Sequence, residues 1–257
     1  MTRQFLFMCG TPRSGTSFMA SIVGSHPGIV LGVERYGKRY GDRSLQPSHF
    51  ERDRFFDVRD DDTRQTEDTV FSRKRDAMAR KFDACAFVGD KYPNLSRHLS
   101  WLRDRFDDPA FIFVLRNPVD VGRSWAVRAA RERDRWPVSN GFETAMAAWS
   151  RGIKDVAAQR KRGCRIVVLD YDLAVTGGER AGDHLDHVFA RIGAPPDETV
   201  RTRLARRSDP PRGPAPSAAE LAAVARLVDE KTWRWFDSLL EAEGMPRPGW
   251  AREVASC

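Results

Sequence analysis

Gly10 and Gly15, in the stretch CGTPRSGTS at residues 9–17, stand at the spacing of the phosphate loop G-x-x-x-x-G-K-S/T. Ser17 fills the last place, and Thr16 stands where the lysine would be. Glycines let the backbone turn tightly so that successive N–H groups face inward, and a following helix adds the partial positive charge of its first turn. Such a loop holds an anion. In an ATP kinase the loop lysine neutralises the β- and γ-phosphates and a strand-end acid helps to hold magnesium. Thr16 cannot supply that charge, although Arg13 puts a cation into the loop from another angle. RIVVLD ends in Asp170, but DYD also reads as the opening of a turn. The strand FIFVL ends instead in Arg116, which would repel magnesium and attract a second anion.

Two further residues have the chemistry for group transfer. Glu34 lies just past the apolar run GIVLG, where a strand returns from the first helix to the sheet edge. Lys91 in GDKYP follows a strand, at the end of a sheet that presents ligand contacts. A solvated surface glutamate and a turn lysine are the plain alternatives. His26 could be proposed as a base, but SHP closes a helix and favours a capping or structural role. Trp125 could stack on a base or lie on an apolar helix face.

Together these stretches resemble the sulfotransferases that use 3'-phosphoadenosine 5'-phosphosulfate (PAPS). GTPRSGTS is similar to their phosphosulfate loop, and FIFVLRNPVDVGRSW to their second signature, with Arg116 ending a strand and Ser124 following. The likeness extends through SHPGIVLGVE and GDKYP over roughly residues 4–130, and continues loosely through VVLDYDL. It implies that Arg13, Ser14, Gly15, Thr16 and Ser17 hold the phosphosulfate, and that Arg116 and Ser124 hold the 3'-phosphate. It implies Glu34 as the base, as in tyrosylprotein and heparan-type enzymes. Lys91 would touch the bridging oxygen or the sulfuryl group, with Arg13 doing similar work from the loop. A sulfuryl group carries less charge than a terminal phosphoryl group, so no metal is expected. The acceptor implied is a hydroxyl or amine on a small molecule, glycan, lipid or peptide. A P-loop kinase using ATP and a non-catalytic nucleotide-binding module are the rival readings.

These residues need a sheet whose strand ends converge. The runs at 4–9, 86–89, 110–115 and 165–170 are short, apolar and bounded by polar residues, as strands buried on both faces are. Helix patterns at 16–25, 95–105, 118–133 and 142–162 alternate with them, which predicts an α/β fold. In it a central parallel sheet is flanked by helices in a P-loop-like three-layer sandwich, with the whole chain, 1–257, as one domain. Residues 39–82 break the alternation. They read either as a disordered loop or, given Phe50, Phe55 and Phe56, as a folded-over substrate lid. Residues 206–217 read as a proline-rich loop whose Arg206, Arg207 and Arg212 could reach a nucleotide, without the signature that would assign them. One long helix is expected over 218–243.

The net charge of +7 points to an anionic partner. The arginines are spread along the chain, even beside acidic runs such as RDDDTRQTED, so a small anion fits as well as a polymer and no nucleic acid is expected. Four scattered cysteines form neither a zinc pattern nor a disulfide framework. Cys9 and Cys164 read as core residues. No apolar run is long enough to span a membrane, and a cytoplasmic location is expected.

Overall fold

The computed structural model describes residues 3–63, 70–131, 136–206 and 214–256. Five strands, β1 (Gln4–Gly10), β2 (Ile29–Val33), β3 (Phe87–Lys91), β4 (Ala110–Leu115) and β5 (Ile166–Asp170), form one sheet in the order β2-β3-β1-β4-β5. Every pairing is parallel, and β2 and β5 are the edges. From β1 the chain crosses through α1 (Thr16–Val23) to the β2 edge. It then returns through α2 (Gly37–Gly41), α3 (Arg52–Phe56) and α4 (Val70–Lys81) to β3. Beyond β3 come α5 (Leu99–Arg105), β4, α6 (Pro118–Ala129), α7 (Phe142–Lys161) and β5. Six helices complete the order: α8 (Tyr171–Thr176), α9 (Glu179–Ile192), α10 (Glu198–Ala205), α11 (Ala218–Leu227), α12 (Glu230–Ala242) and α13 (Gly249–Ala255).

Successive residues of a strand point to opposite faces, so a strand covered on both sides must be apolar throughout. β4, AFIFVL, is buried at every position. Phe7, Cys9, Phe111 and Phe113 face one core, closed by residues of α3, α5, α6, α7 and α12. Leu6, Met8, Ile112 and Val114 face the other, closed by α1, α8 and α9. This is the expected three-layer α/β arrangement. Cys9, Cys85 and Cys164 are buried and unpaired.

The described part of 39–82 is folded. Phe50, Phe55 and Phe56 are buried in the first core; Phe50 tilts against Phe55, while Phe55 and Phe56 meet Phe71 and Phe82 edge to face or tilted. Asp62, fully buried, gathers the segment. It accepts hydrogen bonds from Arg35 at 2.7 Å, Arg39 at 3.0 Å, Arg54 at 2.9 Å and the amide of Arg59 at 3.1 Å. Burial alone would push its carboxyl up, but the bonds from Arg54 and Arg35 and the charge of Arg35 hold it well below the usual carboxylate range. Lys81 of α4 donates to the carbonyls of Gly24 and His26, both at 2.7 Å, and so closes the end of α1.

The run expected as one helix over 218–243 is two. It breaks at Val228, where ψ turns to 110°, and Asp229 restarts it by accepting the Thr232 amide at 2.7 Å. Arg206 ends α10, while Arg207 and Arg212 lie outside the described residues. No helix among the described residues is long and apolar enough to cross a membrane.

Candidate active site

The residues singled out in the sequence lie at the carboxyl ends of four strands, where open parallel sheets bind ligands. The loop leaves β1 after Gly10, Glu34 follows β2, Lys91 closes β3, and Arg116 follows β4.

The loop is shaped by close approach. A Cβ on Gly10 would lie 2.6 Å from Ser14 Oγ and 2.7 Å from the Val114 carbonyl. Gly15 has φ of 83°, and a Cβ there would lie 2.2 Å from the ring of Tyr171. Three later residues wall it in. The Trp125 indole donates to the Pro12 carbonyl at 2.7 Å, Arg116 Nη1 donates to the Arg13 carbonyl at 3.3 Å, and Tyr171 packs on Gly15. The α1 helix starts with no side-chain cap and no acid in its first turn. Its first amides and positive end are therefore available to an anion. Two polar atoms among the described residues are buried there without a hydrogen-bond partner, Ser14 Oγ and Arg116 Nε. Buried polar atoms need partners. Two orphaned donors beside a glycine cradle fit an anionic group.

Around this loop the predicted residues fall into two groups. In the first, Lys91 Nζ lies 2.7 Å from Glu34 Oε1 and donates to Ser17 Oγ at 2.9 Å. Glu34 takes a left-handed backbone, φ 57°. For a residue with a side chain that costs about 1–3 kcal/mol and persists only where surroundings enforce it. Its amide donates to the Lys91 carbonyl at 2.7 Å, and its carbonyl accepts from Thr63 Oγ1 at 2.8 Å.

In the second group, Arg13 Nε donates to Ser124 Oγ at 3.0 Å. The Arg116 guanidinium lies 4.5 Å above the Tyr171 ring and 3.7 Å from Asp120. Its backbone is held by the Trp149 indole on the Arg116 carbonyl at 3.0 Å, and by Asp172, which accepts the next amide, of Asn117, at 2.8 Å. Burial, with the charge of Asp170, pushes the Asp172 carboxyl up to about 7. The side chain of Arg13 thus joins Ser124, while Glu34 and Lys91 meet each other. Thr16 is buried at the start of α1, in the place of the loop lysine.

His26 is occupied by backbone. Its Nδ1 accepts the Gly28 amide at 3.0 Å, and its Nε2 lies 2.9 Å from the Pro195 carbonyl. Asp170 caps α8 through the Leu173 amide at 3.0 Å, the turn role that DYD allowed. Trp125 is buried, edge-on to Trp136, so it lies in the core and against the loop. Among the described residues no cluster of His, Cys, Asp or Glu could hold a metal ion.

Asp90, in GDKYP, and Tyr171, in DYD, also border the site, and their residue types alone do not mark them out. Asp90 is buried, and burial pushes its carboxyl up to about 7 against the opposing pull of the Arg35 and Tyr36 amides.

No curated protein matches the chain in sequence. Among solved structures it is similar to a sulfotransferase domain from the curacin biosynthetic pathway (TM-score 0.51, 12% identity, covering 99% of this chain and 97% of that one). It is also similar to a sulfotransferase from Alicyclobacillus acidocaldarius (TM-score 0.51, 17% identity, 97% and 99% covered). A third is sulfotransferase STF9 from Mycobacterium avium (TM-score 0.52, 14% identity, 96% and 78% covered). At these identities the likeness is one of fold. The model of the sulfotransferase family, however, matches residues 6–180, the stretch that carries the loop, Glu34, Lys91, Arg116 and Ser124, and the chain belongs to that family.

Proposed function

We propose that this protein transfers the sulfuryl group of PAPS, in line, to a hydroxyl or amine of a small-molecule, glycan, lipid or peptide acceptor. PAPS as donor follows from membership of the family. The observation that carries the division of labour is the fully buried Lys91 cation, set between Ser17 of the loop and the Glu34 carboxylate.

In this reading Glu34 takes the acceptor's proton as its oxygen or nitrogen bonds to sulfur. The bond from sulfur to the bridging oxygen breaks, and the electron pair leaves with 3'-phosphoadenosine 5'-phosphate (PAP). Lys91 and the first amides of α1 stabilise the charge that builds there. Ser14 supplies a further donor to the phosphosulfate, and Gly10 and Gly15 let it approach the backbone. Arg116 and Ser124 hold the 3'-phosphate. Arg13 bridges the two ends, with its backbone in the loop and its guanidinium on Ser124.

Thermal shift with PAP and ADP, both without magnesium, tests the reading. A ligand at about 100 times its dissociation constant adds roughly 2.7 kcal/mol to stability. PAP is expected to raise Tm more than ADP does. Equal shifts would remove the 3'-phosphate site, and with it the donor.

A further inference from the structure

Asp90 has no part in the chemistry just described, yet its carboxylate is fully buried and fully engaged. One oxygen accepts the amide of Arg35 at 3.1 Å. The other accepts the amide of Tyr36 at 3.1 Å and the Tyr40 hydroxyl at 3.3 Å. Those amides belong to the two residues that follow Glu34, whose own backbone is left-handed.

The placement explains how the turn is held. Asp90 pairs in register with Phe7 and Gly32, and Lys91 with Met8 and Val33. Consecutive strand residues point to opposite faces. Asp90 therefore grips the turn from the face of Phe7, while Lys91 meets the Glu34 side chain on the face of Met8 and α1. The seat for the carboxylate depends on a missing side chain. A Cβ on Gly32 would lie 2.8 Å from Asp90 Oδ1 and 3.0 Å from the Cβ of Arg35. Two backbone amides donating to the two oxygens of one carboxyl group fix two successive peptide planes, and the bonds strengthen where that group is ionised.

We propose that Asp90 is a positioning residue for sulfuryl transfer: by clamping the two amides after Glu34 it fixes the left-handed turn that holds that carboxylate opposite Lys91. The inference rests on Glu34 as the base. It adds a residue that touches neither substrate and acts only through Glu34.

The test uses the full chain, with single-turnover release of PAP from PAPS and water as the probe acceptor. Hydrogen exchange at the Arg35 and Tyr36 amides is followed alongside. In Asp90→Asn one acceptor becomes a donor facing an amide, so at least the Arg35 or the Tyr36 amide should lose protection. The rate at saturating PAPS should fall on the order of 10- to 100-fold, the effect expected of a misplaced base. The KM for PAPS should hold. In a Glu34→Gln background Asp90→Asn should cause no further fall.

A wild-type rate in Asp90→Asn overturns the proposal, and so does a fall that adds in full to that of Glu34→Gln. If Asp90→Asn does not fold, Gly32→Ala keeps the carboxylate but crowds its seat, and the same selective fall is expected. A wild-type rate and wild-type amide protection in Gly32→Ala then overturn the clamp. Failure of the donor reading looks different: the wild-type protein itself neither binds PAP nor releases it from PAPS. Amide protection then decides the clamp alone, with loss in Asp90→Asn supporting it and retention overturning it.

Discussion

Lys91 Nζ and Glu34 Oε1 are 2.7 Å apart, with the lysine side chain at 0% exposure and the glutamate at 32%. A buried cation without a partner is strongly destabilising, and the glutamate supplies that partner. The pairing joins the end of β3 to the residue after β2, so the proposed base and the proposed leaving-group cation are set by neighbouring strands in register. An acceptor reaching the exposed side of Glu34 meets a carboxylate already oriented from behind.

Glu34→Gln should lower turnover by roughly 100- to 10,000-fold, the usual contribution of a positioned base. Gln keeps the shape but cannot take the proton. PAP binding should be retained, because the nucleotide contacts proposed above are the loop and Arg116, not Glu34. Turnover and PAP affinity measured side by side for both proteins check this, and near wild-type turnover would place the base elsewhere.

Arg116→Ala should weaken PAP on the order of 10- to 100-fold, since a hydrogen bond to a charged group is worth about 1.5–3 kcal/mol. ADP lacks the 3'-phosphate and should be held almost as before. Calorimetric titration with both nucleotides separates the outcomes: equal losses would mean that Arg116 supports the loop through the Arg13 carbonyl instead.

Asp62→Asn should destabilise the protein by about 3–5 kcal/mol, because Arg35 would be left buried with its charge uncompensated. Urea unfolding measures the loss. A change near zero would show that water reaches the arginines around Asp62.

His184 gives the acid limb of stability. Its Nε2 accepts the Asp170 amide at 2.9 Å, so the folded ring is neutral, and burial lowers its pKa from 6.5 to about 4. Between those values the unfolded chain binds the proton and the folded one does not. The contribution is full above pH 6.5 and lost as pH falls towards 4, on the order of 3 kcal/mol in all. His184→Gln keeps an acceptor but does not titrate. Its urea midpoint should be flatter than wild type across that window, and parallel curves would refute the assignment.

Much of this was legible because it is local. β4 announces itself by six buried apolar residues in a row, and the loop by glycines whose spacing its turn demands. The break at Val228 was not legible, because Val224, Val228 and Leu239 are all buried and keep helical spacing across it. The signal was Asp229 with Thr232, a capping pair that an unbroken apolar stripe conceals. Residues 39–62 had no period to read, since they are organised around Asp62, one of three successive aspartates that sequence alone does not rank. Asp90 was hidden for a related reason. Its three partners lie 50 to 55 positions earlier, and two of them are backbone amides, which leave no trace in residue type.

The walls of the phosphate loop also bear on how the protein is assembled. Trp125 reaches back 113 positions to Pro12, and Arg116 reaches 103 positions to the Arg13 carbonyl. Tyr171, against Gly15, is more distant still. Loop-closure entropy must be met before such non-local contacts give anything back, so high contact order slows folding. The loop precedes all three of its supports in the chain, and it gains its shape only when β4, α6 and α8 have docked. A nascent chain that ends before Tyr171 carries the whole glycine motif but still lacks one of the three side chains that wall it in.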